Sequence, residues 1–180
     1  DGSETKDSPA CFAGDALVSV KVARNGGNGN MFYDFVEKKM EDLNVGDLVL
    51  TNDGNNNNNN EEVLSFLHKE NFVKTEFVRV ETNHENVLEL SPGHRIFIND
   101  NITNEIDIPA SNLEIGHVLM DGQKVTKLTR VEKDSLYAPL TKSGTIVVNN
   151  IICSCFSEVP HSVGLYALAF PAYVSSFFLS

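Results

Sequence analysis

Leu43-Asn44-Val45-Gly46-Asp47-Leu48-Val49-Leu50 recurs without a gap as Leu113-Glu114-Ile115-Gly116-His117-Val118-Leu119-Met120. Each copy carries a glycine between apolar positions and then runs into aliphatic residues, which is how a turn leading into a strand reads. A second pair follows in the same order: Leu90-Ser91-Pro92-Gly93-His94-Arg95-Ile96-Phe97-Ile98 is echoed by Leu140-Thr141-Lys142-Ser143-Gly144-Thr145-Ile146-Val147-Val148. Two β units repeated in one order predict an all-β fold with pseudo-two-fold symmetry. The comparison also separates structure from chemistry. Both copies keep the hydroxyl (Ser91, Thr141) and the apolar triplet that follows, so these positions serve the fold. His94 is matched by Gly144, and a histidine in only one of two equivalent places is a candidate for function.

Working outward, residues 16–22 alternate with period two and end in an Asn/Gly-rich turn, from which 32–36 pairs back. Residues 63–68, 73–80, 87–90, 96–98 and 146–152 read as further strands, and only 35–43 is spaced for a turn or two of helix. The asparagine run at 55–60 reads as a low-complexity loop insertion, which costs little free energy. Residues 1–10 have polar linker composition and read as the end of an upstream segment. They show no charged n-region followed by an apolar h-region, so no signal peptide is read there. The globular domain is assigned to residues 11–156 and an apolar tail to 157–180. Ser162 to Ser180 carry no charge, but Pro171 and several serines interrupt a stretch that would need about twenty apolar residues to span a bilayer. The tail reads as a flap for a lipid, a membrane surface or the domain itself.

With 180 residues, 41% hydrophobic and 22% charged, the chain is long enough and apolar enough to bury a core. A net charge of -11 and no basic stripe exclude a nucleic-acid backbone as partner, since that contact displaces counterions from a cationic face. Three cysteines cannot all pair within the chain. At least one free thiol directs attention to cysteine chemistry.

Cys11 follows the linker within Ala10-Cys11-Phe12-Ala13-Gly14-Asp15. A thiol ionises near about pH 8.5, and its thiolate is a nucleophile. Its sulfur reaches the Ala10 carbonyl carbon through a five-membered ring, giving a thioester and a free α-amine; small Ala10 leaves room for an acceptor. Such a shift needs hydrogen-bond donors for the oxyanion and an acid for the departing nitrogen. In Ser91-Pro92-Gly93-His94, the hydroxyl or nearby backbone N–H groups suit the first task and His94 the second. Both residues also fit a plain turn with an exposed histidine, and Cys11 also fits a buried structural thiol. In Cys153-Ser154-Cys155, Cys153 lies on the strand alternation and reads as core, while Cys155 is a second thiol for the site. With His161 the pair resembles half a zinc site without a fourth ligand, so no metal is expected.

Cys11-Phe12 with Gly14-Asp15, the Val45 to Leu50 segment, Leu90 to His94, Ala138-Pro139-Leu140-Thr141 through Asn149, and Ser154-Cys155-Phe156 together resemble the carboxy-terminal autoprocessing domain of hedgehog and hedgehog-related proteins, the Hint (hedgehog-intein) fold. The resemblance runs from Cys11 to about Phe156. It implies a horseshoe built from a duplicated β unit, a thioester on Cys11 formed by cleavage between Ala10 and Cys11, activation by His94 and Ser91, and Cys155 close to the nucleophile. It further implies transfer to the 3-hydroxyl of cholesterol, with sterol as co-substrate and no cofactor, an upstream domain of the same precursor as cargo, and processing in the secretory pathway. The apolar tail falls where the family carries sterol recognition. Ser91 replaces a threonine and Ala10 a glycine, both small changes. His68 stands where hedgehogs place an acidic residue that activates the sterol hydroxyl; a neutral imidazole can accept that proton, and the acceptor can equally be another alcohol or water. The chain departs from a splicing intein, because Asn149-Asn150 is followed by Ile151 rather than Ser, Thr or Cys. A papain-like protease would open a helix at its cysteine, and a non-catalytic lipid-binding module would rest on the tail alone.

Overall fold

The computed structural model describes residues 11–27, 30–52, 58–100 and 104–157. The upstream linker with Ala10, part of the asparagine run, His161 and the apolar tail lie outside these residues. The strands are β1 (Leu17–Asn25), β2 (Met31–Lys39), β3 (Leu48–Asn52), β4 (Asn58–Glu62), β5 (Ser65–Thr82), β6 (Val87–Leu90), β7 (His94–Asp100), β8 (Asn104–Pro109), β9 (Val125–Leu140), β10 (Thr145–Val148) and β11 (Ile151–Ser157). One sheet runs β4-β3-β1-β10-β11-β7-β8 with β2 on β1, and a second runs β6-β5-β9. Two 3-10 turns, Met40–Asp42 and Ala110–Asn112, are the helical structure among the described residues.

The duplication is written in the backbone. Each copy enters through one of these 3-10 turns and leaves it at Leu43 (φ -66, ψ 144) or Leu113 (φ -65, ψ 143). Gly46 and Gly116 then adopt φ +92 and +102, a region that L side chains rarely enter. Their N–H groups donate to Val63 O and Val125 O, each at 2.9 Å. The turn's side-chain acceptor changes identity without changing place. Asp47 Oδ2 takes the Asn44 N–H at 2.8 Å, and His117 Nδ1 takes the Glu114 N–H at 3.1 Å. After the turns the copies diverge: the first builds the β3–β4 hairpin, while the second closes with a bridge between Val118 and Lys124.

Four local expectations are corrected. Residues 63–68 and 73–80 belong largely to one strand, β5, because the polar interval between them still pairs with β9. The break is a ladder irregularity between Asn71 and Thr75, with Phe72 at φ 66. Residues 146–152 are instead a hairpin, since Asn149 and Asn150 both take left-handed φ (47 and 62) and form its two-residue turn. The helical reading of 35–43 yields to β2 as far as Lys39, because β2 zips onto β1 from Met31↔Asn25 to Lys39↔Leu17. β2 is mostly exposed, so burial does not enforce a period-two pattern there. Asn58, Asn59 and Asn60 lie in β4 against β3, since a backbone ladder accepts any side chain that is not proline.

Between the sheets sits a core in which Tyr137, Phe12, Met40, Leu43, Leu90, Ile96 and Ile146 are fully buried. Gly46→Ala and Gly116→Ala should each destabilise the fold by roughly 1–2 kcal/mol through backbone strain. No steric clash adds to this, for the space around a Cβ at Gly46 is open and at Gly116 it meets only Lys124 Cε at 3.8 Å. Urea unfolding of the two variants should give similar losses, as expected of equivalent positions.

Candidate active site

Phe12 pairs with Tyr137 of β9 on one side and with Leu90 of β6 on the other. β6 and β9 are the two edges of the three-stranded sheet, so the segment carrying Cys11 closes that sheet on itself. Phe12 N–H donates to Tyr137 O at 2.8 Å, and Tyr137 N–H returns a bond to Phe12 O at 3.1 Å. Downstream, Gly14 N–H donates to Ser135 Oγ at 3.0 Å, and a Cβ at Gly14 would stand 2.6 Å from that oxygen, so only glycine allows this approach. Lys133 then bridges Asp15 (2.8 Å) and Glu89 (2.7 Å). The chain leaving Cys11 is therefore tied at Phe12, Gly14 and Asp15.

Cys11 itself is fully buried with Ala13, Phe77, Leu136 and Ala138. Its N–H donates to Ser91 Oγ at 2.7 Å, and Ser91 N–H donates to Cys11 O at 3.0 Å. The hydroxyl thus meets the nitrogen of the Ala10–Cys11 peptide bond, where the sequence had suggested the oxyanion side. Ser91 O accepts His94 N–H at 3.0 Å, the same turn that Thr141 and Gly144 make at 3.2 Å in the other copy. His94 is fully buried, not exposed. Its Nε2 is 2.8 Å from the carbonyl oxygen of Ser154 on β11. A carbonyl can only accept, so Nε2 carries a proton, and in the neutral ring Nδ1 holds the lone pair. The Phe12 ring packs 4.3 Å from the imidazole, centroid to centroid.

Burial, followed by the negative charge of Glu70, pushes the Cys11 thiol up to about 12. Cys155 is raised to about 11, chiefly by burial, with the Thr141 hydroxyl opposing the shift. Both are protonated thiols at neutral pH. Cys155 Sγ lies 3.6 Å from Thr141 Oγ1 within the main core, while Cys11 belongs to the smaller group around Phe77; all three cysteines are free thiols. Cys153 is buried as core. His68 is part-exposed on β5, opposite Ala138, with Nδ1 3.8 Å from Glu70 Oε1. Among the described residues, no group of three or more His, Cys, Asp or Glu side chains gathers as for a metal ion. The site thus combines a buried thiol, a hydroxyl on its peptide nitrogen and an oriented imidazole, a set able to exchange an amide for a thioester.

The family model described as "Hint module" matches residues 1–173. The chain belongs to the Hint family. This Hint module is 30% identical over 159 residues to Warthog protein 1 of Caenorhabditis elegans, covering 84% of the chain and 30% of that protein. It is 32% identical over 195 residues to Sonic hedgehog protein of Danio rerio, covering 98% of the chain and 44% of that protein. The chain spans less than half the length of these curated relatives. Among solved structures, it superposes on the gp41-1 intein with a TM-score of 0.60 at 20% identity, over 82% of this chain and 99% of that one. For the PabCDC21-1 intein the TM-score is 0.62 at 13% identity, over 82% and 99%. It is an intein-like autoprocessing module related to the hedgehog proteins.

Three contributors were missed in the sequence. Ser154 acts through its backbone carbonyl, which leaves no side-chain signal. Phe12 stands next to the cysteine, yet its contact with His94 depends on folding. Glu70 was readable as the same-face neighbour of His68 at i+2.

The raised thiols give the Hint module an alkaline weakness. A thiol whose folded pKa exceeds its unfolded value favours the fold fully below the unfolded value, near 9, and that contribution is lost as pH climbs toward 11 to 12. The urea midpoint should therefore fall between about pH 8.5 and pH 11, and the fall should be shallower in Cys11→Ala. An equal slope in the variant would show that Cys11 does not contribute.

Proposed function

We propose that this module cleaves its own chain between Ala10 and Cys11 and passes the upstream segment to a sterol hydroxyl. The observation that supports this best is the 2.7 Å bond from Cys11 N–H to Ser91 Oγ, which sets a hydroxyl against the nitrogen of the bond to be cut. Cys11 Sγ attacks the Ala10 carbonyl carbon; the C–S bond forms, the C–N bond breaks, and the thiol proton passes to the departing nitrogen. With Nε2 committed to Ser154 O, His94 has Nδ1 to carry that proton. The raised thiol makes such a carrier necessary, because little thiolate exists at neutral pH. Ser91 holds the nitrogen in place as it becomes an amine.

In the second step an alcohol displaces Cys11 from the Ala10 carbonyl, leaving the upstream segment as an ester. A sterol is the acceptor that the resemblance to the hedgehog relatives implies, with the apolar tail as its recognition or membrane-contacting element and His68 as the base for its hydroxyl. The same relatives support an upstream domain as cargo and a secretory route. Sterol enters as a co-substrate, and the chemistry calls for no cofactor. A water acceptor shares the first step and differs only in the product.

The 180-residue chain tests this directly, since cleavage frees residues 1–10. Dithiothreitol should release that decapeptide as its thioester, and Cys11→Ala should release none. His94→Ala should slow release by roughly 10²- to 10⁴-fold, the usual worth of a general acid–base. With labelled cholesterol the decapeptide should gain the sterol's mass. Release of the plain acid alone would assign the second step to water, and an intact chain in dithiothreitol would return the fold to a binding role.

A further inference from the structure

The mutual bonds between Phe12 and Tyr137 fix an antiparallel register, which sets Cys11 opposite Ala138 and Ala13 opposite Leu136. On the far side of β9, Ala138 faces His68 and Leu136 faces Glu70. Two rows therefore cross three neighbouring strands: Cys11, Ala138 and His68 in one, Ala13, Leu136 and Glu70 in the next. Side chains directly opposite one another share a face. Cys11, Ala13, Leu136 and Ala138 indeed pack as one buried group, so His68 and Glu70 stand on the face that carries Cys11. Strands lie about 4.8 Å apart, placing the His68 and Cys11 backbones roughly 10 Å from each other, and the row's only side chain between them is the Ala138 methyl.

A bulge produces this arrangement. The ladder pairs Phe66 with Pro139 and then His68 with Ala138, passing over Leu67. Pro139 has no N–H to give, which suits an irregular step at that point. Without the extra residue His68 would oppose Tyr137 and point to the other face. Lys69 does lie opposite Tyr137; its Nζ donates to Leu43 O at 2.7 Å and rests over the Phe66 ring, so it does not neutralise Glu70. Glu70 keeps its carboxylate 3.8 Å from His68 Nδ1, and its charge is felt at the Cys11 sulfur.

We propose that Glu70 is a positioning residue for the acceptor step: it holds the His68 imidazole by Nδ1 so that Nε2 faces Cys11 across Ala138, and the acceptor hydroxyl enters between them. This rests on the two-step reading above. The hydroxyl oxygen attacks the thioester carbon, the C–O bond forms and the C–S bond breaks. The hydroxyl proton goes to His68 Nε2, and the electron pair left on Cys11 sulfur takes it back, restoring thiol and neutral imidazole. Glu70 exchanges no proton. A thiol raised as far as Cys11 leaves a sulfur basic enough to reclaim it.

The test uses the 180-residue chain and two probes, dithiothreitol, which reads the amount of competent thioester, and detergent-dispersed cholesterol, which reads the acceptor step. For each variant the ratio of cholesterol-driven to dithiothreitol-driven release is compared. Glu70→Gln should lower the ratio roughly tenfold or more and His68→Ala further, toward the 10²-fold scale of a lost base. Glu70→Asp should recover part of the loss, and Glu70→Gln combined with His68→Ala should be no worse than His68→Ala alone, because Glu70 acts through His68. An unchanged ratio in Glu70→Gln, or independent losses that add in the double variant, overturns the proposal. If the wild type releases only the acid, the sterol reading falls, and the same comparison on hydrolysis must still show the Glu70 effect or the proposal falls too. No release in dithiothreitol sinks both.

Discussion

Closure of the three-stranded sheet by Phe12 is the constraint on which the site depends. Its ladder partners, Tyr137 and Leu90, belong to strands far apart in sequence, and each brings a different part of the chemistry with it. β6 delivers Ser91 directly after Leu90, and the turn at Ser91 delivers His94. β9 delivers Ala138 and, through its ladder with β5, His68 and Glu70. Cys11 is thus placed by backbone bonding, which depends on register, and its side chain is left to pack with Ala13, Phe77, Leu136 and Ala138.

Burial then determines the thiol's resting state. A cysteine packed among Ala13, Phe77, Leu136 and Ala138 is desolvated, and the charge that acts on it among the described residues, Glu70, disfavours its thiolate. The arrangement differs from that of an exposed, activated thiol. It keeps Cys11 protonated at neutral pH.

Much of this was legible in the sequence because glycines and repeats report backbone needs directly. Gly46 and Gly116 mark positive φ, and their shared surroundings identify the duplicated turn before any fold is seen. His94 stood out because its counterpart is Gly144. Other elements were hidden for physical reasons. The β10–β11 turn is made by Asn149-Asn150 between apolar neighbours, without the glycine that announces such a turn, so the two strands read as one. β2 is exposed on both faces and gives no clean alternation. The Leu67 bulge shifts the face on which His68 lies by one residue, and a register step of that kind comes from pairing with β9. The acceptor for His94 is a main-chain carbonyl, invisible to any motif.

The ring closure has one more consequence. Among the described residues, the backbone bonds that fasten the start of the domain lie at Cys11 and beyond it: Cys11 to Ser91, Phe12 to Tyr137, Gly14 to Ser135. Severing the chain just before Cys11 would remove none of them. These bonds would persist, with the new amino terminus next to the bridge that Phe12 makes between β9 and β6. Such a cut would leave a new α-amine at a fully buried residue, where desolvation favours its neutral form.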